Sequence, residues 1–509
     1  MNYQLYLLLS SVECTSLPVV HQAVFTNMAQ PGLPIEALPA WALLNGITFP
    51  HVKVANVEGK GFGVVRDGEL KPEVPLMTVP NSLVLNVQAV DEYAKEDKNF
   101  KQLLGAVGHH SARRDILLFL LVQLVLASKT HQAPVGVSNP WTEYIKFLPK
   151  TVLVPTLWTE DERLLLRGTS LESAVNAKMT AITAEFDAVR EAASSLPSWN
   201  DVLWPYEDGN SSASLRSWIL LDALYRSRVL ELPKSGESMV PCIDMINHST
   251  RASAYYDENA KDEVVLLPRP DSSISPGEEV TISYGDAKPA AEMLFSYGFI
   301  DPEATVESLV LPLEPFEDDP LAKAKLFVFK DLPKVLVARD KGSSAVSWNS
   351  PFAYLMCVNE EDGLDFRVLQ DSVGGRQLRV FWREEDVTDR IGDFETLIQN
   401  YEVSTLIKLR VVTVVQERLQ QQLERAQSFA DFASLPIGDV DLLRDECRQA
   451  ASLLRRIETD LLEVVIDDLE KERRMLLADE NVVAYLGSME TAESDLVGEE
   501  ASNEPDDFS

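Results

Sequence analysis

The sequence predicts an α+β fold: a strand-rich unit interrupted by a helical insertion and followed by an all-helical C-terminal part. Three observations carry this. Short β-branched runs punctuated by Gly and Pro fill residues 50–90 and return at 236–300. The stretch between them, 91–235, is dominated by Leu, Ala, Glu and Arg. From about residue 318 the chain turns helical again and ends in a long periodic segment.

The first strand-rich stretch starts with the alternation Val52-Lys53-Val54-Ala55. The glycine-rich Gly59-Lys60-Gly61-Phe62-Gly63 comes next, then Leu76-Met77-Thr78-Val79 and Leu83-Val84-Leu85. Pro72, Pro75 and Pro80 separate these runs. In the insertion, helices are expected over 111–128, 160–195 and 214–230. The apolar run from Ile116 to Ala127 is too short to span a bilayer and reads as a buried helix. Ser170, two residues before Glu172 and three before Ser173, gives a partial capping signal. Strands resume at Glu263 to Leu267 and Glu279 to Tyr284, separated by Pro268, Pro270 and Pro276-Gly277. Near the C-terminus, Leu443, Cys447, Ala450, Leu454, Ile457, Leu461 and Val464 recur at alternating spacings of four and three. That is an apolar stripe on a long helix, which suits an internal bundle better than a short dimer seam.

The 509 residues suggest roughly three domains. With 80 acidic against 46 basic residues the net charge is −34, which argues against nonspecific nucleic-acid binding, since that needs Lys and Arg at the phosphates. Cys14, Cys242, Cys357 and Cys447 are scattered, excluding a clustered zinc site and favouring a reducing compartment. Residues 1–50 contain no arginine, and no basic residue precedes the apolar run at Tyr6 to Ser10. Residues 1–45 therefore read as a partly disordered leader, with the folded chain starting near Met28. The segment from Glu490 to Ser509 has eight acidic and no basic residues and reads as a disordered tail. Missing signals favour a monomer in the cytoplasm, the nucleus or both, away from membranes.

Each candidate motif has an ordinary structural alternative. The glycine run lacks the Gly-Lys-Ser/Thr of a phosphate loop and could be a plain β-turn. His248 has no partners at metal-ligand spacing, so no metal is expected. Asn247 beside it supplies an amide able to hold an amino-acid or adenine group. Tyr284 and Tyr297 could be core aromatics, and Arg226-Ser227-Arg228 a solvated helix face.

Taken together, these motifs discriminate. Gly61-Phe62-Gly63, Arg226-Ser227-Arg228, Asp244-x-x-Asn247-His248-Ser249, Ser283-Tyr284-Gly285 and Tyr297-Gly298-Phe299 occur in the order found in SET-domain methyltransferases. The chain resembles the class related to the Rubisco large-subunit lysine methyltransferase over roughly residues 45–480. The resemblance implies a SET domain at 46–300 with a helical insertion at about 95–215. It also implies a helical substrate-binding domain at 310–480, ahead of the acidic tail at 488–509. The implied reaction is methyl transfer from S-adenosyl-L-methionine to a Lys of a non-histone protein. A protein His as acceptor, or a catalytically silent binding module, are the alternatives.

Carried over by residue, Lys60, Gly61, Phe62, Arg228, Asn247, His248 and Tyr297 would surround the cofactor, with Lys60 where the family often has Glu. Ser227, Arg228, Asp244 and Tyr256 would receive the substrate, and Tyr284 would be the catalytic tyrosine. The cysteine cluster that closes many histone methyltransferases is absent, so closure would fall to the C-terminal domain.

Overall fold

The computed structural model describes residues 32–68, 74–128, 136–204, 213–370, 375–431, 435–438 and 442–487. The leader through residue 31, the start near Met28 and the tail at 488–509 lie outside the described residues. The rest of the expected leader is folded. Helix α1 (Leu38–Leu44) buries Leu38, Trp41 and Ala42 in the main core. The Trp41 ring lies 4.9 Å from that of Tyr144.

Strands β1 (Val52–Val57) and β2 (Gly61–Arg66) form an antiparallel hairpin. Gly59 and Gly61 sit at φ +74° and +80° at its tip, a region that side chains other than Gly enter only with strain. Strand β3 (Met77–Val79) follows, then the helices α2 (Val87–Glu96), α3 (Lys98–Val107), α4 (Ala112–Ser128), α5 (Leu171–Ser194) and α6 (Leu215–Arg228). Helix α4 is buried along most of its length, as its apolar run suggested. Its single interior amide, Gln123, accepts from Thr142 Oγ1 at 2.6 Å.

The single helix expected over 160–195 is two. A short turn of helix at Glu160–Leu164 ends before Gly168, at φ +79°, and α5 starts after Ser170. A Cβ on Gly168 would come within 2.6 Å of the Arg425 carbonyl, so the break lets the C-terminal region approach closely.

Beyond the insertion come β4 (Val229–Leu232), at the end of the stretch read as helical, and β5 (Gly236–Met239), at the start of the stretch read as strand, which pair as a hairpin. Then follow β6 (Asn247–His248), β7 (Ala254–Glu258), β8 (Val264–Pro268), β9 (Glu279–Ile282) and helix α7 (Ala290–Tyr297). One sheet runs β1-β2-β9-β6 and another β3-β8-β7. Val64 pairs with Val280 and Asn247 with Thr281, so strands from both sides of the insertion share one sheet.

The C-terminal part departs from the all-helical expectation. Two three-stranded antiparallel sheets precede its helices: β10 (Val306–Pro312), β11 (Lys334–Asp340) and β12 (Val346–Asn349), then β13 (Leu364–Gln370), β14 (Arg376–Trp382) and β15 (Glu385–Asp386). Each sheet buries one face and wets the other: Val335 and Val337 are fully buried while Leu336 is exposed. The long helices α8 (Ser404–Ser428) and α9 (Asp445–Leu477) close the chain. The apolar stripe packs within the chain, and Cys447, Leu454 and Leu461 are buried as expected. The buried face then drifts from Val464 to Val465, because a straight helix turns by 3.6 rather than 3.5 residues.

Polar contacts join the two parts. The Arg444 guanidinium pairs with Glu162 at 2.7 Å, Gln422 Nε2 donates to the Gly168 carbonyl at 2.9 Å, and buried Glu458 accepts from the backbone N–H of Ser170 at 3.0 Å. Ser170, the residue before α5, makes no side-chain cap to its own helix; its hydroxyl donates to Glu458 instead.

Candidate active site

Two strand edges and one helix end bring the expected residues together. The first group gathers at the junction of β2, β9 and β6. Asn247 Nδ2 donates to the Phe62 carbonyl at 3.3 Å and to Glu279 Oε1 at 2.7 Å. The other Glu279 oxygen pairs with the Lys60 ammonium at 2.8 Å. Gly63 is required here: a Cβ on it would come within 2.7 Å of Asn247 Nδ2 and 2.8 Å of Val57 Cγ2.

The second group lines a cavity of about 260 Å³, which Ser227, Arg228, Asp244, Tyr256, Tyr284 and Tyr297 all border. The Tyr284 and Tyr297 rings lie 4.6 Å apart at 34°. Tyr284 donates its hydroxyl to the Ile246 carbonyl at 2.7 Å. Burial pushes both phenols well above their ordinary range, so each is a neutral hydroxyl at physiological pH. Tyr297 stands at the C-terminus of α7, which stops because Gly298 takes the left-handed conformation at φ +84°.

His248 joins the two groups. Its Nδ1 accepts from the Tyr284 backbone N–H at 3.1 Å, and its Nε2 faces Asp301 at 3.2 Å. With Nδ1 accepting, the ring proton is on Nε2, where it faces the Asp301 carboxylate. Both nitrogens are thus used inside the protein. His248 can meet a ligand through its ring face or backbone, not through the ring nitrogens.

Helix α6 delivers Arg228 from a rigid base. On its buried face Asp222 contacts Arg113 at 2.7 Å, Lys178 at 2.9 Å and Arg226 at 2.8 Å. Burial alone would raise the Asp222 carboxyl, but the three cations, Lys178 first, hold it well below its ordinary range. Arg226 also donates to the Phe295 carbonyl of α7 and to Thr156 Oγ1. Arg226 is therefore no solvated surface charge.

Two expected substrate contacts take a different form. The Ser227 hydroxyl donates back to the Ala223 carbonyl at 2.8 Å. Asp244 borders the cavity, but its carboxylate is fully buried, accepting from the Tyr144 hydroxyl and lying 3.6 Å from Arg228. Burial raises its pKa, against the opposing pull of Arg228 and Tyr144. It supports Arg228 from behind instead of meeting a substrate in the open. Sequence reasoning missed Glu279, Asp301 and Tyr144. Each acts through a partner 32 to 219 positions away in the chain, and no local pattern announces them.

The donor set fits S-adenosylmethionine. The Asn247 amide has its NH₂ committed and its Oδ1 without a protein hydrogen bond among the described residues, beside a strand that admits no side chain at Gly63. Among the described residues no His, Cys, Asp and Glu cluster could hold a metal, and no helix is long and apolar enough to cross a membrane. A larger cleft of about 1170 Å³ borders Tyr284 and Tyr297 on one side and β10, Leu336 and Arg418 of the C-terminal part on the other.

This architecture, a split sheet with the Asn-His strand beside a tyrosine-lined cavity, has the fold of the SET domain of Rubisco LSMT. No family model matches the chain. It is similar to SET domain-containing protein 8 of Schizosaccharomyces pombe, 28% identical over 87% of this chain and 96% of that protein. It is similar also to the ribulose-1,5 bisphosphate carboxylase/oxygenase large subunit N-methyltransferase of Nicotiana tabacum, 23% identical over 64% of this chain and 61% of that protein. Among solved structures, the SET domain of LSMT bound to methyl-lysine and AdoHcy superposes with a TM-score of 0.60 at 19% identity, covering 87% of this chain and 93% of that one. Rubisco LSMT bound to AdoMet gives 0.58 at 20% identity over 87% and 92%.

Proposed function

We propose that the chain is an S-adenosylmethionine-dependent protein-lysine N-methyltransferase acting on a non-histone protein. The observation that carries this is the cavity lined by Tyr256, Tyr284 and Tyr297, linked through His248 to the strand that presents Asn247. The activities named for the similar plant enzymes, and for the aldolase-lysine N-methyltransferase of Arabidopsis thaliana at 28% identity over 37% of this chain, support the same reading.

When bound, S-adenosylmethionine supplies an electrophilic methyl carbon on a cationic sulfur. The protein's own work is on the acceptor. A Lys has an unperturbed pKa of about 10.4, so its neutral amine costs roughly 4–5 kcal/mol at pH 7. The aromatic walls strip water from the ammonium and shift that balance toward the amine. Tyr284 keeps its proton, spends it on the Ile246 carbonyl, and leaves its oxygen lone pairs available to the channel. Alignment by rigid walls supplies the rest. The larger cleft gives a folded protein a route to the channel mouth at Tyr284 and Tyr297.

Calorimetric titration with S-adenosylmethionine, with Asn247→Ala in parallel, tests the site. Incubation of active protein with extract, hydrolysis and mass spectrometry then separates methyl-lysine from methyl-histidine. Methyl-lysine is expected. Methyl-histidine would overturn the acceptor assignment, and absent binding would leave a silent SET fold.

A further inference from the structure

Glu279 belongs to none of the recognised motifs, yet both of its carboxylate oxygens are committed at the cofactor strand. Oε1 accepts from Asn247 Nδ2 at 2.7 Å and Oε2 pairs with Lys60 at 2.8 Å. The Glu279 side chain is 16% exposed against 47% for Lys60, so the anion is the covered, fixed member. Among the described residues no other carboxylate lies within ion-pair distance of Lys60. β-Sheet register holds the arrangement: Glu279 opposes Val65 on β2, and Asn247 opposes Thr281 on β9.

Two consequences follow. An amide whose NH₂ already serves the Glu279 carboxylate and the Phe62 carbonyl has only its Oδ1 to offer, so Asn247 presents an acceptor and seeks a ligand donor. In addition, a lone ammonium at position 60 would repel any cationic ligand bound along the same turn, and the carboxylate cancels that field.

We propose that Glu279 is a cofactor-positioning residue that fixes the outward acceptor of Asn247 and neutralises Lys60, making the site accept a positively charged sulfonium ligand. The inference rests on the reading of this site as one for S-adenosylmethionine. S-adenosylhomocysteine lacks the sulfonium charge, so the ratio of the two affinities reads the charge effect apart from positioning.

The test is calorimetric titration of the full chain with each ligand, for wild type, Glu279→Gln, Lys60→Met and the double variant. Gln keeps an acceptor for Asn247 but removes the charge. Glu279→Gln should weaken S-adenosylmethionine about tenfold and S-adenosylhomocysteine no more than about threefold. Adding Lys60→Met should return the S-adenosylmethionine affinity to within about threefold of wild type. Unchanged binding in Glu279→Gln, or equal weakening of both ligands without rescue, overturns the proposal while the cofactor site stands. A wild type that binds neither ligand overturns the site reading, and the proposal with it. If Glu279→Gln does not fold, Lys60→Met alone decides: S-adenosylmethionine should tighten about threefold relative to S-adenosylhomocysteine, and an unchanged ratio refutes the charge argument.

Discussion

Replacing Glu458 by Gln should make the protein's stability less sensitive to pH, with a calculable size. Glu458 lies in α9, is 3% exposed, and accepts from the backbone and hydroxyl of Ser170. Burial pushes its carboxyl from 4.5 up to about 7, outweighing the Ser170 hydrogen bonds and the Arg455 charge, which pull the other way. Below pH 4.5 the folded and unfolded states both hold the proton, and the residue costs nothing. Between pH 4.5 and 7 the unfolded chain releases it while the folded chain keeps it, so stability falls as pH rises. At about 1.4 kcal/mol per pH unit the gap amounts to about 3 kcal/mol, fully expressed above pH 7. Glu458→Gln keeps an acceptor for the Ser170 N–H and does not titrate. Urea unfolding of both proteins from pH 5 to 8.5 should therefore show the variant gaining on wild type by about 2.5 kcal/mol across the series. A difference that stays constant with pH would refute the reasoning, because it would place the carboxyl near its ordinary value despite the burial.

Tyr284→Phe removes the donor to the Ile246 carbonyl, and turnover should fall by about tenfold to a hundredfold while S-adenosylmethionine affinity in calorimetry stays nearly constant. Gly63→Ala places a methyl against Asn247 and Val57, and ligand affinity should drop by about tenfold or more. Lys325 is fully buried, 2.7 Å from Asp319 and 3.0 Å from the Met356 carbonyl. Lys325→Met should destabilise by about 3 kcal/mol in urea unfolding, because it strands the Asp319 carboxylate, whose side chain is only 8% exposed.

What the sequence revealed follows the range of each interaction. The β1–β2 hairpin was legible because its alternation and its glycines are local. So was the burial of α4, whose apolar run has only one route to satisfaction. Of the C-terminal sheets, the second alternates in Gln377-Leu378-Arg379-Val380, but in the first Val335-Leu336-Val337 is apolar throughout and shows no period of two, and the helical periodicity downstream dominated the reading. The ordered motifs located Asn247, His248 and Tyr284, and these do converge on one cavity and one strand edge. Their supports did not show. Glu279 matters only because β9 pairs with β2, and Asp244 turns inward only because Tyr144 from the insertion reaches it. Such partnerships belong to the tertiary fold and leave no periodic trace.

The pairing of Val64 with Val280 also has a consequence for the newly made chain. The β1–β2 hairpin that carries the glycine turn leaves the ribosome before β9, but its free edge on β2 has no partner until β9 is translated, and the Tyr297 wall comes later still. Closing so long a loop is entropically slow compared with forming the helices in between, which can fold on local contacts. The helical insertion should therefore gain structure first and bring the two ends of the sheet together. A nascent chain stalled short of Glu279 would have the helices of the insertion but no ligand site, so binding competence appears only once β9 has been translated.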